Sequence, residues 1–337
     1  MKNTATVKKP VNPTLAKVGK GALFVGKKAV TDYRIPILAI LLFFYMSYMF
    51  PRFSLPYNMY TIADSAASSG IAAIGFTFIL LVGQLDISFN SVISLCACVF
   101  MILLKGGMDI WVAMAIALAL GCACGAFTGF FVANFRLSPF IVTMTMQLIY
   151  RGIALTITEA TPVAMSHPVL KEIYKFKLFD MIPVSFLLFI FAAILMEFIL
   201  RRTQFGRNMY LVGGNINTAD NLGIKANRYI WSAYILQGFF AALAGVALMT
   251  RTFSANGNIG KDFLLSVIPM VIVGGTSMAG GKGGMMKTVW GVILLSMVYN
   301  AMNFFNIPAM LQPFVKGLIL CIVVVADKYM ERRHEKV

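Results

Sequence analysis

The chain has 337 residues, of which 59% are hydrophobic and only 12% are charged, and its mean hydropathy is +0.80. Soluble domains carry about 25% charged residues, so this composition excludes a soluble globular protein and indicates an integral membrane protein. The formal net charge is +16, from 29 Lys and Arg against 13 Asp and Glu. The placement of these basic residues decides whether they signal nucleic-acid binding or membrane orientation.

The first segment, residues 1–34, contains eight Lys or Arg and one acid, Asp32. Lysines and apolar residues are mixed from Leu15 to Val30, which fits two alternatives: a helix on anionic lipid at the inner membrane surface, or a disordered basic tail. The first long apolar run begins near Ile35, too late and too long for a cleaved signal peptide, so we expect the first span itself to direct insertion.

A transmembrane domain is predicted over residues 35–327, followed by a short basic tail at 328–337. A bilayer core of about 30 Å needs around 20 apolar residues per helix, which leaves short loops and no room for a large soluble domain. The predicted fold is all-α and polytopic, with about ten transmembrane helices. The predicted spans are 35–50, 59–83, 88–104, 110–133, 141–158, 182–200, 230–250, 263–275, 286–304 and 312–327.

The basic residues favour one orientation of these spans. An even number places both termini on the same side, and 20 of the 29 Lys and Arg then fall in segments on that side. Because cytoplasmic loops are enriched in Lys and Arg, we expect both termini and the loop at 203–228 to be cytoplasmic. A nucleic-acid site would need a folded basic face that such short loops do not supply, so no nucleic-acid partner is expected.

Two polar, glycine-containing stretches, 82–88 and 273–284, interrupt the apolar pattern in a comparable way and hint at an internal duplication. Unwound backbone inside a membrane is tolerated only where protein or water satisfies it, so we predict two broken or re-entrant segments beside a transport path. Asp86 with Ser88 is expected to cap the next helix, or alternatively to line the path. The second break contributes Gly274, Gly275, Thr276 and Ser277.

The longest polar passage in the transmembrane domain is the loop at 203–228. We predict a helix of little more than one turn at 218–222, capped by Asn217, with Asp220 favouring its positive end and Gly223 ending it. The alternative is an ordinary solvated loop.

Several chemistries are excluded by missing residues. The five cysteines lie in apolar runs far from His167 and His334, so we expect no metal site and no cofactor. Around Lys282 the glycine-rich run lacks the first Gly and the final Ser or Thr of a phosphate-binding loop. The chain is therefore expected to be no enzyme and to have no catalytic residues. Energy must come from another chain or from an ion gradient.

The motifs together resemble the membrane permeases of bacterial ATP-driven importers for ribose, galactose, xylose and related sugars. The similar stretches are the break at 83–88, Ser138 to Thr143 with 150–152, the loop at 203–228, Val273 to Gly283, and Lys316-Gly317 with Asp327. Departures occur at Ala219-Asp220, where the family has Ala-Ala, and at 262–269. They leave the identity of the sugar open.

The resemblance implies a sugar-translocating subunit in the cytoplasmic (inner) membrane of a bacterium. It implies three kinds of protein partner besides membrane lipid: cytoplasmic ATP-binding subunits, an extracytoplasmic sugar-binding protein, and a second permease copy or a paralogue. An ion-coupled secondary transporter or channel is the alternative, with Asp86, Asp64 and Glu197 as candidate coupling groups. Gln147, Asn300 and Asn303 could contact the sugar or merely join helices. The residues expected to engage the ATPase are Gly206, Arg207, Gly213, Gly214, Asn215, Asn217, Asp220, Gly223 and Ile224.

Overall fold

The computed structural model describes residues 34–179 and 181–335, so the basic segment at 1–34 lies, apart from its last residue, outside the described part. The described chain is almost entirely helical. Its helices are α1 (Arg34–Met49), a 3-10 helix (Pro51–Ser54), α2 (Pro56–Leu81), α3 (Phe89–Lys105), α4 (Ile110–Phe135), α5 (Pro139–Ile157), α6 (Pro168–Lys175), α7 (Val184–Arg202), α8 (Gln204–Gly214), α9 (Ile216–Asn221), α10 (Ala226–Thr252), α11 (Phe263–Gly274), α12 (Met285–Phe304) and α13 (Gln312–Glu335).

Helices α2 and α10 form the centre of the bundle. The most apolar 18-residue window of α2 is 89% buried, whereas that of α7 is 22% buried. Helix α4 packs very closely on α10, because a Cβ on Gly125 would lie 2.1 Å from the carbonyl oxygen of Tyr234. Small residues that let helix backbones approach in this way are typical of membrane bundles.

Two opposite faces of the bundle are defined by where the helices end. On one face, which we call the α8–α9 face, lie the end of α2, the two short helices α8 and α9, and the start of α12. The other face carries two small antiparallel sheets, β1 (Val163–Ala164) with β4 (Ser254–Ala255) and β2 (Lys177–Leu178) with β3 (Ile182–Pro183). An ion pair of 3.5 Å between Arg251 and Asp64 joins α10 to α2 near this second face.

Six helices of the described chain are long and apolar enough to cross a membrane: α2, α4, α5, α7, α10 and α12. Three more, α1, α3 and α11, are shorter apolar helices. The chain is therefore a multi-pass helical membrane protein. All ten predicted spans coincide with helices, and their predicted boundaries differ from the observed ones mostly by only a few residues.

The largest differences lie at the chain's polar segments. Helix α13 continues through Glu335, so residues 328–335, predicted as a short tail, continue the last helix. The loop at 203–228 is mostly helical, because α8 contributes 11 residues that the sequence prediction treated as loop. Its start is capped by Thr203, whose hydroxyl accepts a hydrogen bond of 3.3 Å from the Gly206 N–H. Thr203 is a normal capping residue, but because it follows α7 directly, the start of a second helix is not evident from the sequence.

Candidate functional site

The two sequence breaks and the polar loop meet at one point on the α8–α9 face. We call Gly83, Gly213, Gly280 and Gly281 the glycine junction. The Gly281 N–H donates a 3.0 Å hydrogen bond to the carbonyl oxygen of Leu81, the last residue of α2. A Cβ on Gly213 would lie 1.7 Å from that same oxygen, and a Cβ on Gly280 would lie 2.5 Å from the Gly213 oxygen. Backbones this close require glycine, because any side chain would force them apart.

The N-terminal end of α12 and the residues just before it are attached to α8 and to α7. The Tyr210 hydroxyl, on α8, donates a 3.0 Å hydrogen bond to the carbonyl oxygen of Gly283. The carboxylate of Glu197, on α7, accepts a 2.7 Å hydrogen bond from the Met285 N–H and is also paired with Arg201. A carboxylate at a helix N-terminus is stabilised by the helix dipole. Burial raises the pKa of Tyr210, so its hydroxyl stays protonated and able to donate.

The glycine-rich break folds back on itself between α11 and α12. Gly275 ends α11 with a φ of 103°, and the Ser277 N–H donates a 3.0 Å hydrogen bond to the Lys282 carbonyl oxygen. A Cβ on Gly274 would lie 2.6 Å from the Lys287 oxygen, which shows how closely α11 and α12 pack. Thr276 is fully buried, and a Cβ on Gly283 would lie 2.6 Å from its hydroxyl oxygen. The break is therefore a compact turn.

Asp86 lies buried in the first break, between α2 and α3. Its carboxylate accepts a 2.7 Å hydrogen bond from the Ser88 N–H and a 2.6 Å bond from the Ser88 hydroxyl. It therefore satisfies donors at the start of α3, as predicted. The prediction for Ser88 is wrong, because its side chain donates to Asp86 rather than capping α3. Hydrogen bonds to a carboxylate are stronger than those between neutral groups, which favours this arrangement.

The cap of the short helix α9 is Asn215, not Asn217. The side-chain oxygen of Asn215 accepts a 3.0 Å hydrogen bond from the Thr218 N–H, so α9 begins two residues earlier than predicted. Asn217 is exposed in its first turn. Asp220 falls near the end of α9 and accepts a 3.4 Å hydrogen bond from the Ala226 N–H at the start of α10. Gly223 has the predicted left-handed conformation, with a φ of 78°.

The other predicted loop residues support the same pair of helices. Gly206 lies where α7 turns into α8, and a Cβ there would lie 2.1 Å from the Leu200 oxygen. The Ile224 N–H donates a 3.0 Å bond to the Ala219 oxygen, which closes α9. Gly214 faces open space, and Arg207 is exposed. Sequence reasoning missed Tyr210 and the contact made by Glu197, because neither residue stands in a motif.

A polar cavity of about 310 Å³ lies in the other half of the bundle, between α2, α11, α12 and α13. Serines dominate the part lined by α2 and α11, and Asn300 and Asn303 were noticed in the sequence as polar residues without a pattern. Asn300 donates a 3.0 Å hydrogen bond to Asn58. Gln147 does not line this cavity; it lines a much smaller pocket of about 20 Å³.

The candidate ion-coupling groups all have structural partners. Asp64 pairs with Arg251 and accepts a 3.4 Å hydrogen bond from the Ser185 hydroxyl. Glu197 and Asp86 are held by the contacts described above. Over residues 34–179 and 181–335 there is no group of three or more His, Cys, Asp or Glu able to hold a metal ion.

A helical membrane permease is the class of protein that this bundle and its glycine junction define. Residues 58–324 match the family described as the permease component of branched-chain amino acid transport systems, and the chain belongs to this family. It is 30% identical over 288 residues to the ribose import permease protein RbsC of Bacillus subtilis (strain 168), covering 84% of this chain and 88% of that protein.

Two further relatives are also sugar permeases. The chain is 30% identical over 312 residues to the ribose import permease protein RbsC of Escherichia coli (strain K12), covering 91% of this chain and 97% of that protein. It is also 30% identical to the L-arabinose transport system permease protein AraH of Escherichia coli (strain K12), covering 89% and 92%. These relatives confirm the resemblance to importer permeases, and they favour sugar transport over ion-coupled transport. They are permease subunits and not ATPases.

Proposed function

We propose that this chain is the permease subunit of an ATP-driven importer that carries a monosaccharide or a related polyol across the cytoplasmic membrane of a bacterium. Separate cytoplasmic ATP-binding subunits supply the energy, and an extracytoplasmic sugar-binding protein delivers the substrate. The chain pairs with a second copy or a paralogue, and it has no ATPase activity of its own. The ribose and arabinose permeases that it resembles support this class of substrate.

The observation that carries the proposal is the glycine junction. It holds α8, the end of α2 and the glycine-rich break so close together that a movement of α8 must move the other two. A short helix at the surface, attached rigidly to membrane helices, is suited to pass the motion of an ATPase into the membrane. The ATPase binds the exposed side chains of this segment, Arg207, Asn215, Asn217 and Asp220, together with Ile224. The glycines that the resemblance implied, Gly206, Gly213, Gly214 and Gly223, shape the backbone that presents these side chains.

The proposed topology has ten spans with both termini in the cytoplasm. In addition to the six long apolar helices, α1, α3, α11 and α13 complete the ten. The ends of successive spans then alternate between the α8–α9 face and the face that carries the two sheets. The basic residues Arg201, Arg202 and Arg207 support a cytoplasmic α8–α9 face. Reporter fusions at each terminus and at residue 214 test this topology, and an outside location for any of the three contradicts it.

The function is tested by uptake in cells that lack their own pentose importers. The chain is expressed together with its ATPase and its sugar-binding protein, and uptake of radiolabelled D-ribose and L-arabinose is measured. We expect uptake of at least one sugar, abolished when the ATPase carries an inactivated phosphate-binding lysine. The purified chain alone should hydrolyse no ATP. Uptake that needs an ion gradient and no ATPase refutes the proposal.

A further inference from the structure

The polar cavity between α2, α11, α12 and α13 contains a cluster of buried polar atoms that have no hydrogen-bond partner. Seven buried side-chain nitrogen or oxygen atoms of the described residues lack one, and three of them line this cavity: Ser296 Oγ, the Tyr299 hydroxyl oxygen and Asn300 Oδ1. Buried polar atoms are normally paired, because an unpaired one costs about 1–3 kcal/mol. Three at one place form a site where the polar groups of a ligand can take the place of water.

These three side chains form one polar surface. Their spacing of three and four residues places them on the same face of α12. The facing wall is formed by hydroxyl groups of α2 and α11, including Ser65, Ser68 and Ser266. A hydroxyl both donates and accepts hydrogen bonds, so this wall complements a ligand whose own groups are hydroxyls.

The charges around the cavity argue against an ionic ligand. Arg251 lines the cavity but is paired with Asp64 at 3.5 Å. Lys316 and Asp262 both line it and are opposite in sign, and the Lys316 ammonium lies 5.1 Å from the centre of the Tyr299 ring. An anionic or a cationic ligand would therefore meet a charge of its own sign as well as the opposite one.

We propose that this cavity is a substrate subsite of the permease, in which Ser296, Tyr299 and Asn300 hydrogen-bond an uncharged polyhydroxy compound no larger than a monosaccharide. The inference rests on the proposed sugar-import function and adds the place where the sugar is held within the membrane. A volume of about 310 Å³ lies at the lower end of the usual range of about 300–1,000 Å³ for small-molecule pockets, which fits a small ligand.

The test compares how two substitutions change the stability of the permease with how they change its transport. Because the hydroxyls of Ser296 and Tyr299 bond no protein group, Ser296→Ala and Tyr299→Phe should leave abundance in the membrane and melting temperature unchanged or raise them. A ligand would nevertheless lose one hydrogen bond in each variant. We expect the maximal uptake of D-ribose or L-arabinose to fall about three- to tenfold in each. Every strain contains the same binding protein, so a difference in uptake between strains comes from the permease and not from the selectivity of the binding protein.

Ser47→Ala is the matched control, because the Ser47 hydroxyl is also buried without a partner but lies on α1 and does not line the cavity. It should transport at the parental rate. Parental uptake in both cavity variants overturns the subsite, and so does a loss of uptake that parallels a loss of abundance. If the unchanged chain transports neither sugar with its ATPase, the proposed function fails instead, and this result is distinct from the other two.

Discussion

Gly213 and Gly214 are neighbours at the end of α8, yet the structure predicts opposite effects for the same substitution. A Cβ on Gly213 would lie 1.7 Å from the Leu81 oxygen, whereas one on Gly214 would meet no atom within 4 Å. A carbon and a carbonyl oxygen in contact are about 3.3–3.6 Å apart. Gly213→Ala therefore requires α8 to move more than about 1 Å away from the end of α2.

The magnitude follows from this collision. Overpacking of a tight contact costs about 1–3 kcal/mol, and the obstacle here is backbone, which cannot rotate away. The strain is relieved when α8 separates from α2, so the population with an intact glycine junction should fall by about 5- to 150-fold. Gly214→Ala should be neutral or stabilising by up to about 1 kcal/mol, because Ala is the better helix former.

The assay compares both variants in the complete importer. Uptake of radiolabelled sugar and co-purification of the ATPase from detergent are measured at equal abundance of the permease in the membrane. We expect Gly213→Ala to lose at least nine-tenths of its uptake and Gly214→Ala to keep the parental rate. Equal uptake by the two variants would refute the reasoning that α8 must touch α2 to transmit motion.

Three further predictions concern the loop and the first break. Gly223→Val should lose ATPase co-purification through about 1–3 kcal/mol of backbone strain, whereas Gly223→Asn, which tolerates a positive φ, should keep most of it. Asn215→Ala should destabilise α9 by about 1 kcal/mol and reduce uptake, whereas Asn217→Ala should cost less than about 0.5 kcal/mol and leave uptake unchanged. The opposite pattern of uptake would show that Asn217 is the cap. Asp86→Asn should lower the amount of folded permease, because hydrogen bonds to a neutral amide are weaker by about 1 kcal/mol than those to a carboxylate. The dependence of uptake on pH should stay unchanged. Uptake that becomes insensitive to a proton gradient would point to ion coupling.

Local rules of the sequence determined much of the fold. The apolar runs located the six long apolar helices, because a membrane span needs a fixed length of apolar residues whatever surrounds it. Gly223 could be assigned a left-handed conformation, because a glycine directly after a short helix commonly ends the helix in this way. The glycines of both breaks were also recognised, but their sequence positions did not say what approaches them.

Only the tertiary structure decided how these pieces act together. Gly83, Gly213 and Gly280 are far apart along the chain, and nothing local indicates that their backbones touch. The cap of α9 was misplaced by two residues. Asn215 and Asn217 are equally good capping residues, but α8 ends at Gly214, and Asn215 directly after it has the extended backbone of a cap. The unpaired atoms of Ser296, Tyr299 and Asn300 became visible only when α2 and α11 were seen to enclose them, since burial is a property of the neighbours and not of the residue.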